Sequence, residues 1–190
     1  MNRKTLLLPL LLLLLIGFFS CEGDYHITYK WTGLDAVNAD NLGEKPKPSL
    51  SDSIPYKAYV LRLNLFPEQL SKKGRYLDRE TPPTNVNYVD SIMITCNKNF
   101  SSAYPKGSCL NDCFLIFNDS YLHTSNLHRG TIDITNRYSS KFMDTPIPEY
   151  ADLLLIKNPD IVMDSCIFFV FFQLRDKTIF RDSTNRFKLY

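Results

Sequence analysis

The chain has 190 residues with 22 basic and 20 acidic side chains, which gives a formal net charge of +2. Arg3 and Lys4 lie within the first 20 residues, which hold no acidic residue, so the remainder carries equal numbers of basic and acidic side chains. A protein that binds nucleic acid needs a basic patch, so no nucleic-acid partner is expected. About 170 residues are enough for one domain with one hydrophobic core.

The N-terminus has the three regions of a secretory signal. Arg3 and Lys4 give a basic start, a leucine-rich run covers 5–19, and the small residue Ser20 precedes Cys21. The apolar run is about 15 residues long, whereas a helix that spans a membrane needs roughly 20. We therefore predict that residues 1–20 are a cleaved signal peptide.

Residues 15–21, LIGFFSC, resemble the lipobox of bacterial lipoproteins, in which the cysteine is lipidated and becomes the first mature residue. Phe18 departs from this pattern, which usually has Leu or a similar aliphatic residue there. The resemblance implies that Cys21 carries acyl chains such as palmitate and tethers the protein to a lipid bilayer. An ordinary secretory signal with a chance cysteine is the alternative. The acidic Glu22 and Asp24 are similar to the stretch that sends some Bacteroidetes lipoproteins to the cell surface. We therefore expect a lipoprotein of the outer membrane, on either its outer surface or its periplasmic face.

Four further cysteines are present, and an even number in an exported chain favours disulfide bonds. They are Cys96, Cys109, Cys113 and Cys166. Three pairings are possible, and the sequence does not choose among them. Four thiolates could instead hold zinc, but there is no second closely spaced pair beside Cys109 and Cys113. We therefore predict disulfides, and we expect no metal and no other cofactor.

Short stretches of alternating apolar and polar residues predict β-strands. The clearest is 57–66, in which Tyr59, Leu61, Leu63 and Leu65 fall on one face. The run CIFFVFFQL at 166–174 is apolar on both faces, which predicts a central strand covered on both sides. Polar residues with glycines and prolines predict a surface loop at 33–55, and Pro67 could begin one helical turn. Other strands are predicted at 25–31, 88–96, 113–117, 131–135, 178–180 and 185–190.

Seven to nine short strands without sustained helical periodicity favour an all-β, two-layer antiparallel β-sandwich. Four segments also resemble a set of Bacteroidetes lipoproteins of unknown function: 38–41 (NADN), 59–63 (YVLRL), 89–94 (VDSIMI) and 172–180 (FQLRDKTIF). The resemblance implies an immunoglobulin-like sandwich and no known chemistry. Such relatives often have Gly in the last turn, where this chain has Lys177. The predicted organisation is a signal peptide at 1–20, then the lipidated cysteine, first strand and polar loop at 21–56, and the rest of a single sandwich domain at 57–190.

The sequence contains no G-x-S-x-G elbow, HExxH helix, P-loop or dinucleotide fingerprint. His123 and His128 are five residues apart, which suits neither a helix face nor a strand face. We therefore expect a non-catalytic envelope module that binds a glycan or an envelope protein through its loops. A hydrolase of unrecognised pattern that acts on an envelope or other polysaccharide is the alternative. The aromatic residues chosen as ligand contacts are Tyr25, Trp31, Tyr104 and Tyr121.

Overall fold

The computed structural model describes residues 26–73, 84–87, 89–118, 123–126 and 150–190. Within these ranges every regular element is a β-strand, apart from short 3-10 turns at Tyr56–Ala58 and Asn111–Cys113. The all-β prediction is therefore confirmed. None of the described residues forms a helix that is long and apolar enough to cross a membrane. The signal peptide, Cys21, Tyr25, Tyr121 and the strand expected at 131–135 lie outside the described residues.

The largest sheet has seven strands, and its main path runs β2-β1-β4-β9-β7-β8, with β5 also pairing with β1. All of its pairs are antiparallel except that between β1 and β5. Its strands are β1 (His26–Asp40), β2 (Lys47–Pro48), β4 (Tyr59–Lys73), β5 (Thr84–Asn85), β7 (Phe114–Asn118), β8 (His123–Asn126) and β9 (Tyr150–Leu155).

Two three-stranded sheets, ordered β12-β11-β6 and β10-β13-β3, are continuous with each other along the chain. Only Ile167 separates β10 from β11, and these two strands pair in succession with β13 and β12. The strands are β3 (Ser53–Ile54), β6 (Val89–Cys96), β10 (Met163–Cys166), β11 (Phe168–Leu174), β12 (Ile179–Ser183) and β13 (Phe187–Leu189).

The core lies between the large sheet and the two small ones, which makes the described structure sandwich-like. Tyr59 of the large sheet stacks on Phe187 with ring centroids 4.8 Å apart, and it also packs on Phe168 at 5.3 Å. Leu61, Leu63 and the other alternate residues of β4 are buried in the same cluster. The period-two pattern of β4 therefore marks the residues that join the two layers.

Two predictions about the connections are wrong. Residues 33–40 were expected in a loop, but they extend β1, because they pair with β4 and Tyr59 donates to the buried Asn38 side chain at 2.9 Å. Pro67 was expected to begin a helical turn, but β4 continues through it. It pairs with Trp31 beside a shift in register, and such irregularities are where strands tolerate proline.

Candidate functional site

The outer face of the β6-β11-β12 sheet carries an aromatic row in partial contact with solvent. The pairing register places nine side chains there in three rows of three, with neighbouring strands about 4.8 Å apart. Phe169 and Phe171 occupy the middle strand, about 7 Å apart along it. We call this surface the aromatic face; its members are Ser91, Met93, Thr95, Phe169, Phe171, Gln173, Ile179, Arg181 and Ser183.

Exposure separates most of this face from the core beneath it, and Thr95 is the one buried member. Along β11 the side chains alternate between buried and partly exposed, and Phe169 and Phe171 belong to the partly exposed set. Met93 and Ile179, on the flanking strands, are 41% and 48% exposed. The prediction that this strand is central in its sheet is confirmed, but the prediction that both of its faces are covered is wrong for the described part of the chain.

Polar and charged groups surround the two rings. The Arg181 guanidinium lies over the Phe171 ring, 5.5 Å from its centroid. Ser91 and Ile179 flank Gln173, and Thr95 and Ser183 flank Phe169. Arg181 is the one charged member of the nine, so the aromatic face is apolar at its centre and positive on one side.

The aromatic residues chosen from the sequence lie elsewhere. Trp31 is 2% exposed and makes an edge contact with Tyr29 inside the core, so its selection as a ligand contact is corrected: the ring is not accessible. Tyr104 packs partly against the core, and its hydroxyl accepts a hydrogen bond from Lys157 at 2.5 Å. Sequence reasoning missed the aromatic face, although the paired phenylalanines of CIFFVFFQL were a visible signal.

A buried ion pair lies on the outer face of the large sheet. Arg62 donates to both carboxylate oxygens of Asp152, at 2.7 and 2.8 Å, and to the Pro46 carbonyl at 2.9 Å. Hydrogen bonding to Asp152 raises the pKa of Arg62 against the opposing effect of burial. The guanidinium also lies 4.1 Å from the centroid of the Tyr150 ring. These contacts engage the guanidinium on several sides, so we assign it a structural role.

The four cysteines of the described residues are free thiols, so the prediction of disulfides is wrong for this structure. The sulfurs of Cys96 and Cys166 lie 3.4 Å apart, whereas a disulfide bond is about 2.0 Å long. Cys113 is buried and Cys109 is exposed. An even cysteine count carries no information about these distances. No three histidine, cysteine or acidic side chains of the described ranges stand close enough to share a metal ion.

Cys96 and Cys166, which we call the close pair, differ in their surroundings. A hydrogen bond from the Cys166 thiol lowers the pKa of Cys96 to about 7, with help from backbone N–H groups such as that of Lys98. The same contact, together with burial, raises the pKa of Cys166. Cys96 accepts the Lys98 N–H at 3.5 Å, a contact that favours its thiolate, so we expect Cys96 to be the member that ionises first.

Comparisons of this chain with protein-family models, with curated proteins and with solved structures found no match.

Proposed function

We propose that this chain is a membrane-tethered, non-catalytic module of a bacterial cell envelope, with an immunoglobulin-like β-sandwich that binds a protein partner. The tether is the lipidated Cys21 left by removal of residues 1–20, and the contact surface is the aromatic face. This differs from the loops that the sequence favoured, because the aromatic row belongs to a sheet.

The tether would hold the domain close to the bilayer. His26, the first residue of β1, follows Cys21 by five residues, which span at most about 18 Å when fully extended. Each buried CH₂ of an acyl chain contributes about 0.8 kcal/mol, so two or three chains on Cys21 are a stable anchor. Mass spectrometry of the N-terminal peptide from native membranes should give an acylated Cys21, and Cys21→Ser should release the protein. An unmodified Cys21 would contradict the tether.

The observation that carries the binding proposal is the partial exposure of Phe169 and Phe171 on the same sheet face as the exposed Met93 and Ile179. Exposed apolar patches with polar borders mark interaction sites. Aromatic residues, Met and Arg are enriched in protein–protein interfaces. The aromatic face combines all three kinds of residue.

The positive charge of the aromatic face indicates what chemical groups its partner should present. Arg181 is the one charged side chain of the aromatic face, so a complementary surface would place a carboxylate opposite it and apolar side chains over the phenylalanine rings. A glycan could also stack on the rings, but it would leave Met93 and Ile179 without apolar contacts. We therefore favour a protein partner.

Photo-crosslinking in intact cells tests this surface. A photoreactive phenylalanine analogue at Phe171 should give one discrete protein adduct, whereas the same analogue at Leu50, which is fully exposed elsewhere, should give none. Arg181→Glu should abolish the adduct and Arg181→Lys should retain it, because only the former reverses the charge.

Three results would contradict the proposal. The first is the absence of any adduct at Phe171. The second is an adduct that survives Arg181→Glu, which would remove the charge argument. The third is an adduct that proves to be glycan rather than protein, which would replace the class of partner.

A further inference from the structure

We propose that Cys96 and Cys166 form a redox pair: before the core closes over them, the two thiols exchange with an external disulfide and form one Cys96–Cys166 bond, while Cys109 and Cys113 take no part in that bond. The inference rests on the geometry of this pair and does not depend on the partner surface proposed above.

The backbone around the two sulfurs is held in place by Asn97. Its side-chain amide donates to the Ser165 carbonyl at 3.0 Å and accepts from the Ile167 N–H at 2.9 Å. Its own backbone N–H donates to the Ile167 carbonyl at 3.1 Å. The end of β6, which is Cys96, is thereby fixed to the junction of β10 and β11, where Cys166 is the last residue of β10.

The sulfurs need to move little to bond. They are 3.4 Å apart, about 1.4 Å more than a disulfide bond length. Cys96 is 3% exposed and Cys166 is not exposed at all. Burial raises the pKa of the Tyr59 hydroxyl, and its proximity to Cys166 and Cys96 raises this pKa further. The pair is therefore enclosed in the core, where a bond once formed is shielded from further exchange.

The chemistry is a balanced exchange with a small-molecule or protein disulfide. The Cys96 thiolate attacks one sulfur of the external disulfide, which forms a mixed disulfide and releases the first thiol. The Cys166 thiol then loses its proton and attacks the Cys96 sulfur, which forms the internal bond and releases the second thiol. Two protein thiols are oxidised and one external disulfide is reduced to two thiols.

The remaining two cysteines differ in their surroundings. Cys109 is exposed, whereas Cys113 is buried and burial raises its pKa to about 11. A thiolate is the attacking species in exchange, so Cys113 is a poor nucleophile near neutral pH. Cys113 is therefore not poised for exchange in the way that the close pair is.

The test uses the full chain, unfolded under reducing conditions and refolded in glutathione buffers of increasing oxidised fraction, so that burial does not limit access. After acid quenching, denaturation and alkylation, the number of alkylated thiols should fall by two in one step. Peptide mapping should show a link between the peptides that contain Cys96 and Cys166. Cys109→Ser should leave this step unchanged.

Cys166→Ser is the matched variant, because it removes the resolving thiol and keeps the nucleophile. It should accumulate a glutathione mixed disulfide at Cys96 instead of the internal bond. The proposal is overturned if the alkylation count of the full chain stays constant in the most oxidising buffer, or if the mapped link joins any other pair of cysteines.

Discussion

Arg62 shows how a charged side chain can be built into a sheet. Its side chain is 11% exposed and that of Asp152 is 5% exposed, and the two are joined by a two-pronged contact. Removing one partner of a buried pair leaves an uncompensated charge, which costs about 3–5 kcal/mol. We expect Asp152→Leu to lower the free energy of unfolding in urea by that amount.

The Arg62→Met/Asp152→Leu double variant should recover much of this loss, because an apolar pair of similar volume replaces both charges. The exposed pair of Lys30 and Glu68, 3.0 Å apart, is the control, and Glu68→Leu should cost less than about 1 kcal/mol. Equal costs for Asp152→Leu and Glu68→Leu would show that burial does not govern the first pair.

Lys177 occupies a backbone conformation that suits glycine. Its φ is 71°, in the turn where its N–H donates to the Leu174 carbonyl at 2.9 Å. A side chain in this left-handed region costs about 1–2 kcal/mol. We expect Lys177→Gly to be more stable to thermal unfolding than Lys177→Ala by about 1 kcal/mol. Both variants lose the exposed contact with Asp90, so the comparison isolates the backbone. Alanine as stable as glycine would contradict this explanation.

At the scale of elements, Asn111 completes the free edge of β6. Its side chain accepts from the Ile94 N–H at 3.0 Å and donates to the Ile92 carbonyl at 2.6 Å. Each buried backbone group left unpaired costs about 1–3 kcal/mol, so Asn111→Ala, which leaves two such groups, should destabilise the protein by about 2–6 kcal/mol in urea unfolding. Asn158→Ala, which removes an exposed bond to Tyr56, is the control. A loss for Asn111→Ala no larger than for this control would mean that the edge does not depend on the side chain.

The individual strands differ in how well the sequence predicts them. The alternation of Tyr59, Leu61 and Leu63 gave both the strand and its buried face, because one face of β4 is uniformly apolar. The run CIFFVFFQL correctly predicted a central strand but wrongly predicted that both of its faces are covered. The sequence does not distinguish a phenylalanine that packs against a second layer from one that faces solvent. A two-residue strand such as β2 is too short to show an alternating pattern, and only its pairing with a neighbouring strand identifies it.

At the scale of the whole molecule, contacts between distant segments could not be predicted. Arg62 and Asp152 are 90 residues apart, and Cys96 and Cys166 are 70 apart, so only the folded topology brings them together. Many short alternating strands predict the sandwich-like arrangement. The partial exposure of the aromatic face depends on how the sheets pack on each other, which local sequence patterns do not specify. The cysteine count did not predict the close thiol pair, and the aromatic residues chosen from the sequence did not predict the candidate binding surface.

Hydroxyl-radical footprinting of the purified full chain and of intact cells tests most directly whether the aromatic face is occupied in the envelope. We predict that Met93 and Phe171 are oxidised in the purified chain and protected in cells. Ile161, which is 68% exposed, should react equally in both, and the buried Met163 should react in neither. If Met93 and Phe171 react in cells as strongly as in the purified chain, the aromatic face is unoccupied there and is not the binding surface.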